Sequence, residues 1–303
     1  MTWVVFAFAA ATLFSCTNII DKYLIDKRYR KLSTTTITAI GALAGIPFAA
    51  ALLLILRTLP SASTFLYGLV AGWLVLAGYQ LYYKALRLAD AALVTSLLQI
   101  ILPFNYLFGL LFFQDKITFV QIAGMLIIVA AATIAATEQR EKKWRLRSHV
   151  LVTMTLASFL LSLSDLVFKH VSESTPFLQI AATEYFSSIL AGLLLLFFVP
   201  KVRRELRTLK KSFRAVASFS EFNEAFTFAG NLSLRYAISL GPIALVQGVL
   251  GAQPIIVLAL SAVLGFAVPK LRQTKKSSFG DTLLKIGSML LLVLGSFLIT
   301  RSA

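Results

Sequence analysis

The sequence predicts an all-α membrane protein of ten transmembrane helices, arranged as two inverted five-helix repeats. Three observations predict it. Ten apolar stretches of about twenty residues follow one another from residue 3 to residue 300, each long enough for a helix to cross roughly 30 Å of hydrocarbon. The composition is 58% hydrophobic and 14% charged with a mean hydropathy of +0.83, which excludes a soluble globular domain. The last five stretches repeat the first five, and because five is odd the second copy enters the membrane upside down.

The first repeat covers residues 1–137, with spans at 3–20, 37–56, 65–83, 91–113 and 119–136. A charged connecting loop is predicted at 138–149. The second repeat covers 150–303, with spans at 150–168, 177–199, 213–240, 243–268 and 282–300. Span 1 has no basic segment ahead of its apolar run, so it reads as an uncleaved helix and not as a signal peptide. It contains Cys16, the single cysteine, which excludes an intramolecular disulfide. Spans 4 and 9 carry mid-span prolines, Pro103 and Pro254. Each removes a backbone hydrogen bond, bends its helix and bares a carbonyl near mid-membrane. Span 8 is the longest and is expected to tilt or protrude. Span 10 has small residues (Gly287, Ser288, Gly295, Ser296) that allow close helix contact, within one chain or between two, and leave the oligomeric state open.

The repeat keeps register in polar residues and prolines, not only in Leu and Ala. Ser15, Asn18, Lys22 and Gly45 meet Ser162, Asp165, Lys169 and Gly192 at an offset of 147. Gly78, Ala85, Leu88 and 92–94 meet Gly230, Ala237, Leu240 and 244–246 at an offset of 152, and Pro103 meets Pro254 one residue closer.

The formal net charge of +16 could suggest nucleic acid, but the basic residues sit in short connections beside spans, where the positive-inside rule collects them. No nucleic-acid partner is expected. Lys and Arg follow the odd-numbered spans at 22–31, 84–87, 140–147, 201–214 and 270–276, whereas the opposite connections have Arg57, Lys116, Lys169 and Arg301. The odd connections are therefore expected in the cytoplasm, facing anionic lipid headgroups, with both termini outside a cytoplasmic (inner or plasma) membrane.

Ionisable residues inside spans cost at least ~2.5 to 3.5 kcal/mol on insertion scales and mark function by default. Four acids stand out: Asp165 in span 6, Glu184 in span 7, and Glu221 and Glu224 in span 8. Their counterparts in the first repeat are neutral, so the acids specialise the second half. Glu221 and Glu224 are three residues apart and are expected on one helical face, where repulsion in low dielectric would keep a proton on one of them. The competing accounts are structural: Glu221 at headgroup level near Arg214, and Asp165 paired locally with Lys169 four residues on.

Neutral polar and aromatic residues complete a candidate cavity: Asn18, Tyr79, Gln80, Gln99, Asn105, Tyr185, Asn223, Asn231, Tyr236, Gln247 and Gln253, each of which could equally serve helix packing. Asn231 follows Glu224 by seven residues, which puts the two on one stripe of span 8. An aromatic box from Trp73, Tyr82 and Tyr83 for an organic cation is a weaker alternative.

These motifs together resemble the drug/metabolite transporter superfamily, in its ten-helix EamA-type branch, over the whole length. They are a first helix ending in polar residues and Lys (Ser15 to Lys22; Ser162 to Lys169) and a third running through Gly into Tyr-Tyr-Lys-Ala-Leu (Gly78, Tyr82 to Leu86; Gly230, Arg235 to Ile238). A proline-bearing fourth helix follows (Pro103, Pro254), then a fifth entered through Asp115-Lys116 and 121–124. The second copy departs at that last element, reading Val268-Pro269-Lys270, and the charge bias places the termini opposite to the usual family orientation. The resemblance implies secondary transport by alternating access, with a cavity between spans 1 to 4 and 6 to 9. The expected cargo is a small polar metabolite such as an amino acid or amine, with a coupling proton or ion. The alternatives are a flippase for a lipid-linked or amphiphilic substrate, and a non-transporting scaffold with a tightly packed centre and all four acids salt-bridged. No metal or cofactor is expected, and no HExxH, Walker or Gly-rich phosphate motif supports an enzyme.

Overall fold

A computed structural model of the chain describes residues 2–56, 60–113, 118–140, 143–209, 213–267 and 279–301. Helices dominate it. Seven are long and apolar enough to cross a membrane: Thr2–Arg28, Thr34–Ile55, Ala62–Leu88, Ala91–Phe113, Ser148–Ser172, Phe177–Phe198 and Ile243–Val263. Phe119–Ala135 and Ile286–Leu298 are shorter apolar helices. The predicted span 8 is the helix Phe213–Leu240, 28 residues or about 42 Å at 1.5 Å per residue; its buried polar side chains keep it below the hydropathy of the others. Asp115, Lys116, Val268, Pro269 and Lys270 lie outside the described residues.

In chain order the elements are α1 (Thr2–Tyr23) with a π-helical turn (Leu24–Arg28), α2 (Thr34–Ala44), α3 (Ile46–Ile55), α4 (Ala62–Leu88), α5 (Ala91–Leu98), α6 (Ile101–Phe113) and α7 (Phe119–Ala135). Strands β1 (Thr137–Arg140) and β2 (Lys143–Leu146) follow. Then come α8 (Ser148–Ser172), α9 (Phe177–Phe198), α10 (Pro200–Thr208), α11 (Phe213–Leu240), α12 (Ile243–Leu250), α13 (Gln253–Ala267) and α14 (Phe279–Arg301). Helix starts follow local capping chemistry, since a side-chain oxygen there satisfies an N–H that the helix leaves free. Ser33, Ser61 and Asp90 accept from Thr36, Thr64 and Leu93, and Thr118 forms a capping box with Gln121. The charged segment predicted as a loop pairs instead as an antiparallel hairpin, with Glu138 opposite Arg145.

Both proline-bearing spans break. α5 gives way to α6 at Gln99 and Ile100, and α12 to α13 at Gly251 and Ala252, so Pro103 and Pro254 fall in the first turns of α6 and α13. A proline there costs no hydrogen bond, because that N–H has no helical acceptor.

α1 packs against α11, α4 against both α8 and α9, α2 against α9, and α7 against α14. Two pairs of positions aligned in the sequence make similar contacts. A Cβ on Gly78 would stand 2.8 Å from Leu161 Cγ, and one on Gly230 would stand 2.9 Å from Phe14 Cε1, so both crossings need glycine. Lys22 Nζ donates to the Leu86 carbonyl at 2.7 Å, and Lys169 Nζ to the Ile238 carbonyl at 3.0 Å. Ala7 and Ala10 of α1, like Met154 and Ala157 of α8, have no exposed surface. Small residues at such contacts let helices approach closely, which is how helices associate where lipid removes the hydrophobic drive. Outside them, Phe8, Leu54, Leu66, Leu111, Phe119, Leu126, Val152, Phe198 and Leu290 are exposed, an apolar surface suited to acyl chains.

Candidate functional site

A central cavity of about 70 Å³ opens between α2, α4, α9 and α11. This is room for several water molecules, since one needs roughly 10–15 Å³ on the same measure. Five residues singled out from sequence line it: Tyr79, Glu184, Tyr185, Glu224 and Asn231. Tyr83 and Arg235 join them. Glu224 and Asn231 do share one stripe of α11.

One wall of the cavity is a buried ionic cluster built on Arg235, which is 5% exposed. Its Nε and Nη2 donate to the Glu184 carboxylate at 3.0 and 2.5 Å, its Nη1 to Asp165 Oδ1 at 2.5 Å, and Nη2 also to Ser164 Oγ at 2.8 Å. The guanidinium stands over the Phe168 ring, 4.9 Å from its centroid. Asp165 Oδ2 accepts from Asn105 Nδ2 at 2.9 Å and Gln247 Nε2 at 2.7 Å, and Ser162 donates to Asn105 Oδ1. Asn105 and Gln247 come from α6 and α12, the two broken spans, so the breaks bring amides to the acid. The planar fork of arginine, always charged, is what lets one side chain satisfy two carboxylates in low dielectric. Two acids against one cation leave the cluster with a formal charge of −1.

The local Asp165–Lys169 pair allowed for from sequence does not form. Lys169 reaches the end of α11 and donates to the Ile238 and Gly241 carbonyls, leaving Asp165 to the fork of Arg235. In the sequence Arg235 stands out only as part of the motif Arg235 to Ile238; an arginine within a span needs acids, and that is the available signal.

Glu224 accepts a hydrogen bond from the Tyr185 hydroxyl, and Tyr185 is braced edge-on by Phe228 at 5.1 Å and 87°. Among the described residues no cation is paired with Glu224. Glu221 departs from the expectation: its side chain is exposed and lines no part of the cavity. Three residues turn a helix by about 300°, and here that 60° shortfall separates the inner face from the outer, so the expected carboxylate pair is not formed in the cavity.

The remaining residues serve other contacts. Gln80 Nε2 donates to Thr35 Oγ1 at 3.3 Å, Gln99 Nε2 to the Thr95 carbonyl at 3.4 Å beside the α5–α6 break, and Asn18 Oδ1 accepts from Tyr82 at 2.5 Å. Asn223 turns from the cavity and donates to Asp21 Oδ1 at 2.8 Å. Asp21 was missed because the predicted span ended at residue 20. The aromatic box is not assembled as expected, since Trp73 is exposed and Tyr82 lies behind Tyr79 and Tyr83. Among the described residues no group of three His, Cys, Asp or Glu side chains could hold a metal ion.

Residues 1–137 match the model of the EamA-like transporter family. A solved structure described only as "Crystal structure of protein" superposes with a TM-score of 0.62 at 16% identity, covering 99% of this chain and 96% of that one. At that identity the likeness shows the fold. No curated protein matches the sequence.

Proposed function

Because residues 1–137 match the EamA-like transporter model, we propose that this chain belongs to the drug/metabolite transporter superfamily and is a secondary active transporter of a small polar metabolite, working by alternating access. Its helices then form ten membrane spans as two inverted five-helix repeats, 1–137 and 150–303. The reciprocal packing of α1 on α11 and α4 on α8, with matched glycine and lysine contacts, supports that arrangement. The basic connections after odd spans support placing them in the cytoplasm, with both termini outside an inner or plasma membrane. Membrane lipid and a small-molecule substrate are the partners this reading requires.

One observation carries it: Glu224 stands in the central cavity, held by Tyr185, with no described cation of the protein beside it. Arg235 is already engaged by Glu184 and Asp165, so the cavity offers a substrate one free carboxylate and no free guanidinium. The groups that satisfy Glu224 are a proton or the positive end of an amine. Exchange of the two at one carboxylate couples their movements. A scaffold would have all four acids paired and no cavity, and Glu224 stands against that account.

The test is uptake into proteoliposomes loaded with a pH-sensitive dye, screening pooled amino acids, amines, nucleosides and sugar phosphates. Amines and amino acids should move protons; absence of flux for every pool, in both orientations of the protein, contradicts the proposal.

A further inference from the structure

A second polar site lies outside the cavity, where the end of α1 meets α11. Asp21, Asn18 and Asn223 are 4%, 6% and 7% exposed. Asn223 Nδ2 donates to Asp21 Oδ1 at 2.8 Å. The other two atoms of that pair, Asp21 Oδ2 and Asn223 Oδ1, are both buried acceptors without a partner. A buried acceptor left unpaired loses its solvation without compensation, and a charged one loses more. Two acceptors cannot satisfy each other unless a hydrogen is added.

We propose that Asp21 and Asn223 form a proton-binding site, in which a proton on Asp21 Oδ2 donates to Asn223 Oδ1 and closes a two-bond acid–amide ring between α1 and α11. The proton comes from bulk water, and one O–H bond forms on the carboxylate. Its loss opens half of the ring and leaves a bare carboxylate in the helix interface.

The surroundings agree. On α1, Lys22 turns away to the Leu86 carbonyl at 2.7 Å and to Asp26 at 3.1 Å. In the π-helical turn, Lys27 is exposed, and Arg28 is exposed and lies over Phe219. From α4, Tyr82 donates to Asn18 Oδ1 and also stands within hydrogen-bonding reach of Asp21, Tyr79 and Tyr83 lie beside Tyr82, Lys84 is exposed, and Arg87 turns to the Leu32 carbonyl. Beyond the turn, Tyr29 is hydrogen-bonded to Ser220 of α11. α5, α12 and α13, which also pack on α1, carry no charged residue in their described helices. α11 adds a like charge, Glu224, next to Asn223. Asn18 Nδ2 is a donor, but it reaches neither acceptor. No described cation therefore competes with a proton for Asp21. The π-helical turn that follows at Leu24–Arg28 is a form frequent at functional sites.

Because Asn223 adjoins Glu224, the ring ties the protonation of α1 to the helix that carries the cavity carboxylate. This role in coupling rests on the transport reading; proton binding itself does not.

The experiment is pH-difference infrared spectroscopy of the purified protein in lipid nanodiscs, on wild type, Asp21→Asn, Asn223→Ala and Glu224→Gln. A titrating carbonyl stretch of a hydrogen-bonded carboxylic acid should vanish in Asp21→Asn, persist in Glu224→Gln and move to higher frequency in Asn223→Ala. Asn at position 21 mimics the protonated acid, so that variant should unfold no earlier than wild type, which controls for misfolding. A wild type without such a band, or a band intact in Asp21→Asn, overturns the proposal. If the bands behave as expected while no substrate pool moves protons in liposomes, the proton site stands and the transport reading falls. If transport runs but Asp21→Asn leaves the bands unchanged, the reverse holds.

Discussion

Arg235 holds Glu184 bidentately, through Nε at 3.0 Å and Nη2 at 2.5 Å, and thereby fixes α9 to α11 at one wall of the cavity. Removing one partner of a buried ion pair strands the other and costs about 3–5 kcal/mol. Arg235→Met, which strands two carboxylates, should lower the thermal unfolding midpoint in detergent markedly. Arg235→Lys should recover little, because an ammonium cannot fork. Adding Glu184→Gln and Asp165→Asn to Arg235→Met should restore much of the loss; no recovery would mean that the cluster acts through packing and not charge.

Tyr185 is predicted to orient Glu224 rather than to bind substrate alone. A hydrogen bond to a charged group is worth roughly 1.5–3 kcal/mol, so Tyr185→Phe should slow substrate-driven flux about 10- to 100-fold while leaving the unfolding midpoint nearly unchanged. A collapse of the midpoint would instead identify a packing role with Phe228.

Lys22 and Lys169 end their reach on equivalent carbonyls, Leu86 and Ile238. Lys22→Met and Lys169→Met should therefore destabilise by similar amounts, about 1.5–3 kcal/mol each, read as unfolding midpoints in lipid nanodiscs. Widely different losses would argue against two equivalent repeats.

Outside the spans, Glu205 of α10 accepts from the Ser33 amide at 2.6 Å and hydroxyl at 2.8 Å. Burial alone would raise its pKa, but hydrogen bonds from Thr36 and Ser33, with Lys201 nearby, hold it below the ordinary carboxylate value. A depressed folded pKa contributes stability that is present above the unfolded value and lost as pH falls through the folded one. Wild type should thus exceed Glu205→Gln in midpoint at neutral pH, with the gap closing in acid. A gap that widens in acid contradicts this.

Much of this architecture was legible in sequence because apolar length, proline and loop charge are local signals. That spans 4 and 9 depart from a straight helix follows from proline chemistry, although the helix breaks ahead of each proline and so loses no hydrogen bond to it; the shared stripe of Glu224 and Asn231 follows from helical periodicity. What was not legible depends on tertiary contact. Asp165 is four residues from Lys169, yet the partner it finds is Arg235, seventy residues on. Glu221 and Glu224 are three apart, and only packing decides which side of α11 faces inward. Asp21 sits beyond a predicted helix end, where α1 runs on to Tyr23 and continues as a π-helical turn.

The most direct measurement is substrate-driven proton flux in proteoliposomes, comparing wild type, Glu224→Gln and Glu221→Gln with any pool that moves protons. The flux should be lost in Glu224→Gln, whose carboxylate faces the cavity, and kept in Glu221→Gln, whose side chain is exposed. Flux surviving in Glu224→Gln, or lost equally in both, would contradict a transport path centred on Glu224.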